Sequence, residues 1–445
     1  MERQRKPVWT GGSPEPCVLL HDASRDCGDP DSGNMLIHGD NLTALRALEG
    51  EFAGQVQCVY IDPPYNTGAV FAYYEDRLEH TGWMDMMGEQ LDILRRLLSG
   101  GGAAAVQIDV NELFRLKLMM DEIFGPRNFV SMITVKTKIA GVSGSSTGKS
   151  LQDNTEYILL YAKDISQFSI RTLPQKKQEL MDYIETYTRQ GKSWKYTSVM
   201  TGMDRGVYLK SFPAGNGDMI RLYRHENVRT QSIRKVADRE FQGDLRRAYY
   251  ANIDRIFRTT NAQTTIRARV LEETRGLGPG IFRIEYVPNK GKHAGEMTRF
   301  YYKDGNLIAW LRDVVESEGE SIYKLDNCGN LWDDIPYNNL TKEGGVRFPN
   351  GKKPELLAAR VIGMLSGPGD LVLDSFLGSG TTAAVAHKMG RRYIGIEAGD
   401  HCYTHCKPRL DRVVGGEQSG VSRAAGWQGG GGYRFYELAP ARQQR

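Results

Sequence analysis

The chain has 445 residues, of which 40% are hydrophobic, and this is enough for two or three domains with sizeable cores. A formal net charge of +4 is too small to predict a polyanionic partner by itself, and six cysteines do not make a disulfide framework in a chain of this length. The sequence shows neither a long apolar run nor an apolar signal-peptide core, so we expect a cytoplasmic protein with no membrane partner.

The first elements predict an α/β domain. Residues 1–33 are rich in Pro, Gly, Ser and Asp without any period, which predicts a flexible arm. A short apolar strand from Asn34 then runs into Asp40, a natural turn and helix cap, and a helix with leucines at helical spacing follows. The next apolar run, 56–61, predicts a buried strand. This β-turn-α-β order predicts a parallel sheet.

The strand at 56–61 ends in Asp62-Pro63-Pro64-Tyr65. Neither proline has an N–H to donate, so the chain must leave the sheet in a stiff, extended loop. The carboxyl end of a strand is where open α/β sheets bind ligands. The tetrapeptide therefore predicts a rigid pocket whose carboxylate and carbonyl accept hydrogen bonds from an amine and whose ring stacks on a flat ligand.

The pattern continues to about residue 165. It predicts helices at 83–98, which Gly100-Gly101-Gly102 stops, and at 111–123. It predicts strands at 103–108, 129–135 and 156–162, the last alternating like an edge strand. A basic, Gly/Ser-rich loop connects the last two strands, and we interpret it as a segment beside a binding cleft.

Arginine and tyrosine crowd the middle of the chain, 166–345, where short strands and helices are mixed. This composition fits a solvated basic face and, equally well, a groove whose guanidiniums contact phosphates and base edges. In the second interpretation, the candidate DNA-binding residues from this region and from the basic loop are Lys136, Lys138, Lys149, Arg221, Arg224, Arg246 and Arg247.

The α/β pattern returns after Pro354. A helix, a buried strand at 371–375, a Gly-x-Gly turn at 376–380 and a second helix lead to a strand that ends in Glu397. The glycines let backbone N–H groups approach a ligand at a helix N-terminus, and a strand-end acid can accept from two ribose hydroxyls. This unit predicts a nucleoside cofactor without naming it.

The two motifs stand about 300 residues apart, with the pocket motif first. If 371–375 is the first strand of a doubly wound sheet and 56–61 the fourth, the two strands lie side by side at the switch point. Both loops then face one crevice. The predicted segments are an arm at 1–33, one half of this domain at 34–165, an inserted domain at 166–345, the other half at 346–414 and a tail at 415–445.

These motifs resemble those of the beta-class amino-methylating DNA methyltransferases. His38-Gly-Asp40-Asn41, Tyr60 to Gly68, Asp121 to Gly125, Glu156 to Tyr161, Phe348 to Pro354 and Gly426 to Gly432 are similar to segments of the modification subunits of type III restriction systems. The resemblance covers about 35–165 and 345–438. It implies a doubly wound, mostly parallel, seven-stranded Rossmann-like methyltransferase sheet with an inserted α+β target-recognition domain.

The resemblance also implies a reaction. Asp62, Pro63, Pro64 and Tyr65 would hold the target amine of a flipped-out base, which Asp62 marks as adenine N6, since cytosine-N4 enzymes more often carry Ser there. The cofactor would be S-adenosylmethionine, and the residues expected to bind it are Asp40, Asp62, Lys353, Pro354, Asp374, Phe376, Gly378, Ser379, Gly380, Thr381, Thr382 and Glu397. Asp40 fits a plain helix cap nearly as well. The expected partners are double-stranded DNA, a second copy of the chain and a restriction (helicase–nuclease) subunit.

Other interpretations stay open. A cytosine-N4 methyltransferase uses the same hydrogen-bonding logic. A non-catalytic recognition subunit would not need an intact Asp-Pro-Pro-Tyr sequence, and a nicotinamide oxidoreductase predicts a third glycine that is missing here. The His-Cys pairs at 401–402 and 405–406 share a helix face, but no second ligand pair is near them in sequence, so we expect no metal.

Overall fold

The computed structural model describes residues 17–67, 80–137, 153–214, 217–261, 264–288, 295–338, 340–348 and 351–440. The chain forms two compact units, one containing Met1–Pro174 with Cys328–Arg445 and the other containing Gln175–Asn327. The second unit is therefore an insertion in the first.

The first unit begins with an alternation of strands and helices. Its elements before the insertion are β1 (Cys17–His21), β2 (Cys27–Gly28), β3 (Met35–His38), α1 (Asn41–Phe52), β4 (Val56–Ile61), α2 (His80–Leu97), β5 (Leu98–Ile108), α3 (Leu113–Phe124), β6 (Phe129–Lys136) and β7 (Thr155–Ala162).

The inserted unit has eleven strands and four helices among the residues described. They are β8 (Gln175–Glu179), α4 (Leu180–Arg189), β9 (Ser198–Thr201), β10 (Val207–Pro213), β11 (Met219–His225), β12 (Arg229–Ser232), α5 (Ile233–Glu240), α6 (Leu245–Ala251), β13 (Ile256–Thr260), α7 (Thr265–Glu273), β14 (Ile281–Tyr286), β15 (Thr298–Lys303), β16 (Asn306–Trp310), β17 (Val315–Glu318) and β18 (Ser321–Asn327). One sheet has the order β10-β11-β14-β15-β16-β13-β9-β12, and β17-β18-β8 form another.

The first unit resumes after the insertion. Its remaining elements are β19 (Leu331–Trp332), α8 (Glu355–Leu365), β20 (Leu371–Asp374), α9 (Thr381–Lys388), β21 (Arg392–Glu397), α10 (Lys407–Val414) and β22 (Gly432–Pro440), with a π-helical turn at Cys402–Cys406 before α10.

One sheet with the order β1-β22-β3-β21-β20-β4-β5-β7-β6-β19 organises the first unit, and β2 pairs with β22. The pairs from β22 to β5 are parallel, whereas β7 is antiparallel to both of its neighbours. The run from β3 to β6 is the doubly wound, mostly parallel seven-stranded sheet that the sequence predicts. β20 pairs with β4 through Leu371 and Val56, which confirms that the two motif-bearing strands are neighbours.

Both faces of this sheet are covered. Alternate residues of β4 enter different cores, with Cys58 and Tyr60 in one and Val59 and Ile61 in the other. This arrangement explains why the strand is a continuous apolar run rather than an alternating one.

Four expectations need correction. Cys17–His21 is not a flexible arm, because it pairs antiparallel with β22 and Leu19 packs against the core. β7 is not an edge strand, since β5 and β6 flank it and its last five residues are buried. The glycines at 100–102 lie inside β5, which begins at Leu98 directly after α2, so they do not end the helix. A Cβ on Gly102 would lie 2.8 Å from the carbonyl oxygen of Val56 on the neighbouring strand.

The fourth correction concerns the boundaries of the insertion, which the sequence analysis placed at 166 and 345. The segment before Gln175 still belongs to the first unit, where the Arg171 N–H donates to the carbonyl of Met364 at 2.9 Å. After Asn327 the chain rejoins the large sheet at once, because β19 pairs parallel with β6.

Candidate active site

The ends of β4, β20 and β21 open into one cavity of about 670 Å³ within the first unit. The site residues predicted from the sequence that line it are Asp62, Pro63, Pro64, Tyr65, Lys353, Asp374, Phe376, Gly378, Ser379, Thr381, Thr382 and Glu397. Of the described residues predicted for this site, Asp40, Pro354 and Gly380 stand outside the lining. The fold thus brings most of both motifs to one place.

Neighbouring helices anchor the Asp-Pro-Pro-Tyr loop (residues 62–65). The buried Trp83 of α2 donates its indole N–H to the carbonyl oxygen of Pro64 at 2.7 Å. Asn66 takes a left-handed conformation with φ 59°, and its amide donates to the fully buried carboxylate of Glu112 at 2.8 Å. These contacts fix the direction in which the chain leaves β4.

Four side chains form a charged cluster above this loop: Asp62, Tyr65, Glu156 and Lys353. The Tyr65 hydroxyl lies 2.6 Å from Oδ1 of Asp62 and 3.0 Å from Oε2 of Glu156. The Lys353 ammonium donates to the Tyr65 oxygen at 2.7 Å and to Glu156 at 2.9 Å, and it is 3.3 Å from Oδ1 of Asp62. Lysine therefore shares its charge between two carboxylates.

Burial and neighbouring charges act on this cluster in opposite directions. Burial raises the pKa of Asp62 to about 6, even though the Lys353 ammonium lowers it. Burial also acts to raise the pKa of Glu156, but Lys353 and hydrogen bonds from Gln107 and Tyr65 outweigh it and hold that pKa below its usual value. The pKa of Lys353 is raised, because the two carboxylates outweigh the effect of burial. Asp62 is thus ionised near neutral pH.

The glycine loop (residues 376–380) is closed by carboxylates on both sides. The Phe376 N–H donates to Oδ1 of Asp374 at 2.9 Å, and the Gly378 N–H donates to Oε2 of Glu397 at 2.7 Å. Gly380 has φ 80°, and a Cβ there would come within 3.3 Å of the Cα of Cys406. Glycine is therefore needed where the loop meets α9.

A fully buried ion network supports the loop from behind. The Arg409 guanidinium donates to the Ser379 carbonyl at 3.2 Å, to the Thr381 hydroxyl at 2.7 Å and to Glu355 at 2.8 Å. Glu355 also accepts from Lys388 at 2.8 Å, and none of these three charged side chains is exposed. Partnered charges of this kind are costly to break, so the loop rests on a rigid base.

Asp374 is nearly enclosed at the end of β20. Burial raises its pKa to about 7, although hydrogen bonds from Thr382 and the Phe376 N–H lower it. The carboxyl is consequently close to half protonated at neutral pH.

Asp40 is exposed and caps α1. Its Oδ1 accepts from the Thr43 N–H at 2.9 Å and from the Thr43 hydroxyl at 2.6 Å. The neighbouring Asn41 lines the cavity instead. The geometry therefore supports the interpretation of Asp40 as a helix cap.

The predicted DNA-binding residues have different environments. Lys136 is exposed at the end of β6, and Lys138 and Lys149 lie outside the described residues. Arg221 and Arg247 are exposed. Arg224 donates to the Leu277 carbonyl at 2.9 Å, and Arg246 pairs with Glu179 at 3.4 Å and lies over the Tyr250 ring. Arg224 and Arg246 therefore also support the inserted unit itself.

Comparison with known proteins gives the family. A family model described as DNA methylase matches residues 56–275 and 279–407. The chain belongs to this DNA methylase family. The match extends across both halves of the large sheet and most of the insertion, and it confirms the resemblance drawn from the motifs.

The chain is 44% identical to the probable type III restriction-modification enzyme HindVI Mod subunit of Haemophilus influenzae. This alignment extends over 411 residues and covers 92% of this chain and 54% of that protein. The chain is 32% identical over 269 residues to the StyLTI Mod subunit of Salmonella typhimurium, covering 52% of this chain and 40% of that protein. The chain thus spans about half the length of the curated relatives it matches.

Solved structures give weaker matches. The cytosine-N4-specific PvuII DNA methyltransferase aligns with a TM-score of 0.38 and 14% identity over 90% of this chain and 94% of that one. The complex of M1.HpyAVI with SAM aligns with a TM-score of 0.37 and 12% identity, over 84% of this chain and 98% of that one.

Sequence reasoning missed several residues of the site. Glu156 was placed in a strand and in a segment that resembles the family but was given no role, and Trp83, Glu112 and Arg409 were not singled out. A signal existed for Glu156, because it is an acid at the start of an otherwise apolar strand. Arg409 gave none, since an arginine in a helix is usually exposed.

Among the described residues, no group of three or more His, Cys, Asp and Glu side chains could hold a metal ion. Nor does any helix in that part of the chain have the length and apolarity to cross a membrane.

Proposed function

We propose that this methylase transfers a methyl group from S-adenosylmethionine to the N6 amine of an adenine in double-stranded DNA. The observation that carries the proposal is that the Asp-Pro-Pro-Tyr loop and the glycine loop follow adjacent parallel strands and line the same cavity. Ligands bind at this edge of a doubly wound sheet.

The donor set suits a nucleoside cofactor. Glu397 already accepts from two backbone N–H groups, Gly378 at 2.7 Å and Gly399 at 3.0 Å, and a carboxylate has further lone pairs for ribose hydroxyls. Phe376 contributes an aromatic ring to the lining, and Asp374 adds a second acid. When bound, S-adenosylmethionine supplies an activated methyl group.

The chain's own residues would act on the acceptor amine. An exocyclic amine is a poor nucleophile, because its lone pair is delocalised into the base. The Asp62 carboxylate and the Pro63 carbonyl would accept its two N–H bonds, draw the nitrogen towards tetrahedral geometry and free the lone pair. Tyr65 would stack on the base, which has to leave the duplex to enter the cavity. Positioning and electrostatics supply most of the rate.

The partners follow from the same proposal. Double-stranded DNA is the substrate, and the inserted unit, with its many arginines, is the proposed recognition domain. The HindVI and StyLTI relatives are named as Mod subunits of type III restriction-modification enzymes. We therefore propose a role in restriction-modification or phage defence, with a restriction subunit and a second copy of the chain as partners.

Incubating plasmid DNA with the protein and labelled S-adenosylmethionine, then digesting it and identifying the modified base, tests this function. We expect label in N6-methyladenine. Label in N4-methylcytosine would overturn the choice of adenine. Unlabelled DNA from folded protein that binds the cofactor would support a non-catalytic recognition subunit instead.

A further inference from the structure

We propose that Glu156 and Lys353 are positioning residues that hold Asp62 ready to accept hydrogen bonds from the target amine, so that the acceptor site is a three-residue charged unit. The inference rests on the proposed function and deepens it. It assigns Lys353 to the amine pocket, whereas the sequence analysis expected this lysine to bind the cofactor.

The contacts of Asp62 leave one of its carboxylate oxygens available for a ligand. Both side-chain contacts to this carboxylate, from the Tyr65 hydroxyl at 2.6 Å and from the Lys353 ammonium at 3.3 Å, are made to Oδ1. The other oxygen, Oδ2, accepts from none of the described residues. One oxygen is thus pinned, while the other keeps its lone pairs for a ligand.

Glu156 links Lys353 to the sheet. Lys353 lies nearer to Glu156 than to Asp62, at 2.9 Å against 3.3 Å, and it also contacts the Tyr65 hydroxyl at 2.7 Å, so Glu156 is its closer carboxylate partner. Gln107 donates to the same Oε2 of Glu156 and ties it to β5, and Tyr60 donates to Gln107 at 2.6 Å. A chain of contacts from the sheet interior therefore fixes the lysine.

The charge balance of the cluster also supports the proposal. Lys353 is only 11% exposed, and two carboxylates share its single positive charge. Removing the cation would leave two half-buried anions close together, whereas removing Glu156 would leave Asp62 as the only carboxylate beside the cation. The two changes should move the protonation of Asp62 in opposite directions. The titratable groups that face Asp62 from the surrounding elements are Tyr60, Tyr65, Glu156, Tyr337, Lys353 and Asp374.

The test is the pH profile of kcat/KM for DNA methylation by the full chain. Asp62 must be ionised to accept from the amine, so wild-type activity should fall below about pH 6. In K353M we expect the acid limb to move up by about one pH unit, with activity recovered in alkaline buffer. In E156Q we expect it to move down by about the same amount, and in the double variant it should return close to wild type.

The controls separate the possible failures. Cofactor affinity should change less than twofold in E156Q and K353M, and a large loss in K353M would mean that Lys353 holds the cofactor, which overturns the proposal. Equal losses of activity at every pH, with unmoved limbs, would also overturn it. If K353M does not fold, the shift of the acid limb in E156Q tests the proposal by itself. Wild-type protein that methylates no DNA would refute the proposed function, whereas an active wild type with unmoved limbs refutes only this inference.

Discussion

The half-buried carboxyl of Asp62 and the buried carboxyl of Asp374 stand at the ends of adjacent strands, and desolvation raises the pKa of each, to about 6 and about 7. Their surroundings differ. Asp62 has an ammonium beside it, while Asp374 has only hydrogen bonds from Thr382 and the Phe376 N–H. The same residue type is thus kept mainly ionised in the amine pocket and only partly ionised beside the glycine loop.

Asp374 makes stability depend on pH in a defined direction. The folded protein keeps this proton to about pH 7, whereas the unfolded chain loses it near the ordinary value of 3.8, so the contribution of Asp374 to stability falls as pH rises between these values. In D374N, the Asn oxygen can still accept from the Phe376 N–H without titrating. We expect the free energy of unfolding of D374N, relative to wild type, to rise by on the order of 3 kcal/mol from pH 4 to pH 8. Urea denaturation at several pH values measures this, and a flat difference would contradict the assignment.

The sequence predicted the tetrapeptide and the glycine loop from their unusual backbones, and Glu397 from its place as an acid at the end of a strand. It did not predict how Lys353 is used. The side chain of Lys353 reaches Glu156 on β7, a partner 197 positions away that only the folded sheet brings near.

Three helices support the glycine loop through buried ion pairs. α8, α9 and α10 contribute one charged residue each to a network with no exposed member: Glu355, Lys388 and Arg409. Of these three, only Arg409 contacts the loop, through the Ser379 carbonyl, and it also donates to the Thr381 hydroxyl at the start of α9. Arg409 and Lys388 therefore pair with the same anion, Glu355, but only Arg409 contacts the predicted cofactor loop.

This difference predicts separable effects of two matched variants. R409M and K388M each leave a buried anion short of one partner, so each should destabilise the fold by about 3 kcal/mol. R409M should also weaken S-adenosylmethionine binding about tenfold, because the glycine loop loses its support, while K388M should not. Thermal unfolding and calorimetric titration measure the two effects. Equal cofactor affinities in both variants would show that Arg409 does not position the loop.

At this scale, hydrophobic periodicity predicted most strands and helices of the first unit. It missed β1, and it located β7 but indicated an edge strand where the structure has an internal one. β1 is a short apolar run inside a mostly polar segment, and β7 begins with half-buried residues that resemble an edge pattern. Pairing partners far away in sequence, β22 and β5, decide the structure of both strands.

The whole molecule is one α/β unit interrupted by an inserted unit rich in β-structure. Motif order predicted the interruption, because two halves of one sheet need strands from both sides of it. The boundaries were wrong because β19 and the segment before Gln175 have little sequence signal and join the first unit through backbone hydrogen bonds.

If the insertion binds DNA, we expect substitutions of two arginines of β11 to have different effects. Arg221 is exposed, so R221A should lower DNA affinity and reduce the salt dependence of binding by about one ion without changing stability. Arg224 donates to the Leu277 carbonyl, so R224A should lower the unfolding temperature. Fluorescence anisotropy at several salt concentrations and thermal unfolding check both variants. An unchanged salt slope in R221A would remove that residue from the DNA interface.

In the proposed function, one cavity joins a cofactor loop to a carboxylate that accepts hydrogen bonds from the target amine. The most direct test compares D62A with wild type in two measurements on the same preparation, S-adenosylmethionine affinity and methyl transfer to plasmid DNA. We predict that D62A binds the cofactor within about threefold of wild type and transfers methyl groups at least about a thousandfold more slowly. Parallel loss of binding and transfer would show that Asp62 is structural, and unchanged transfer would show that the amine is held elsewhere.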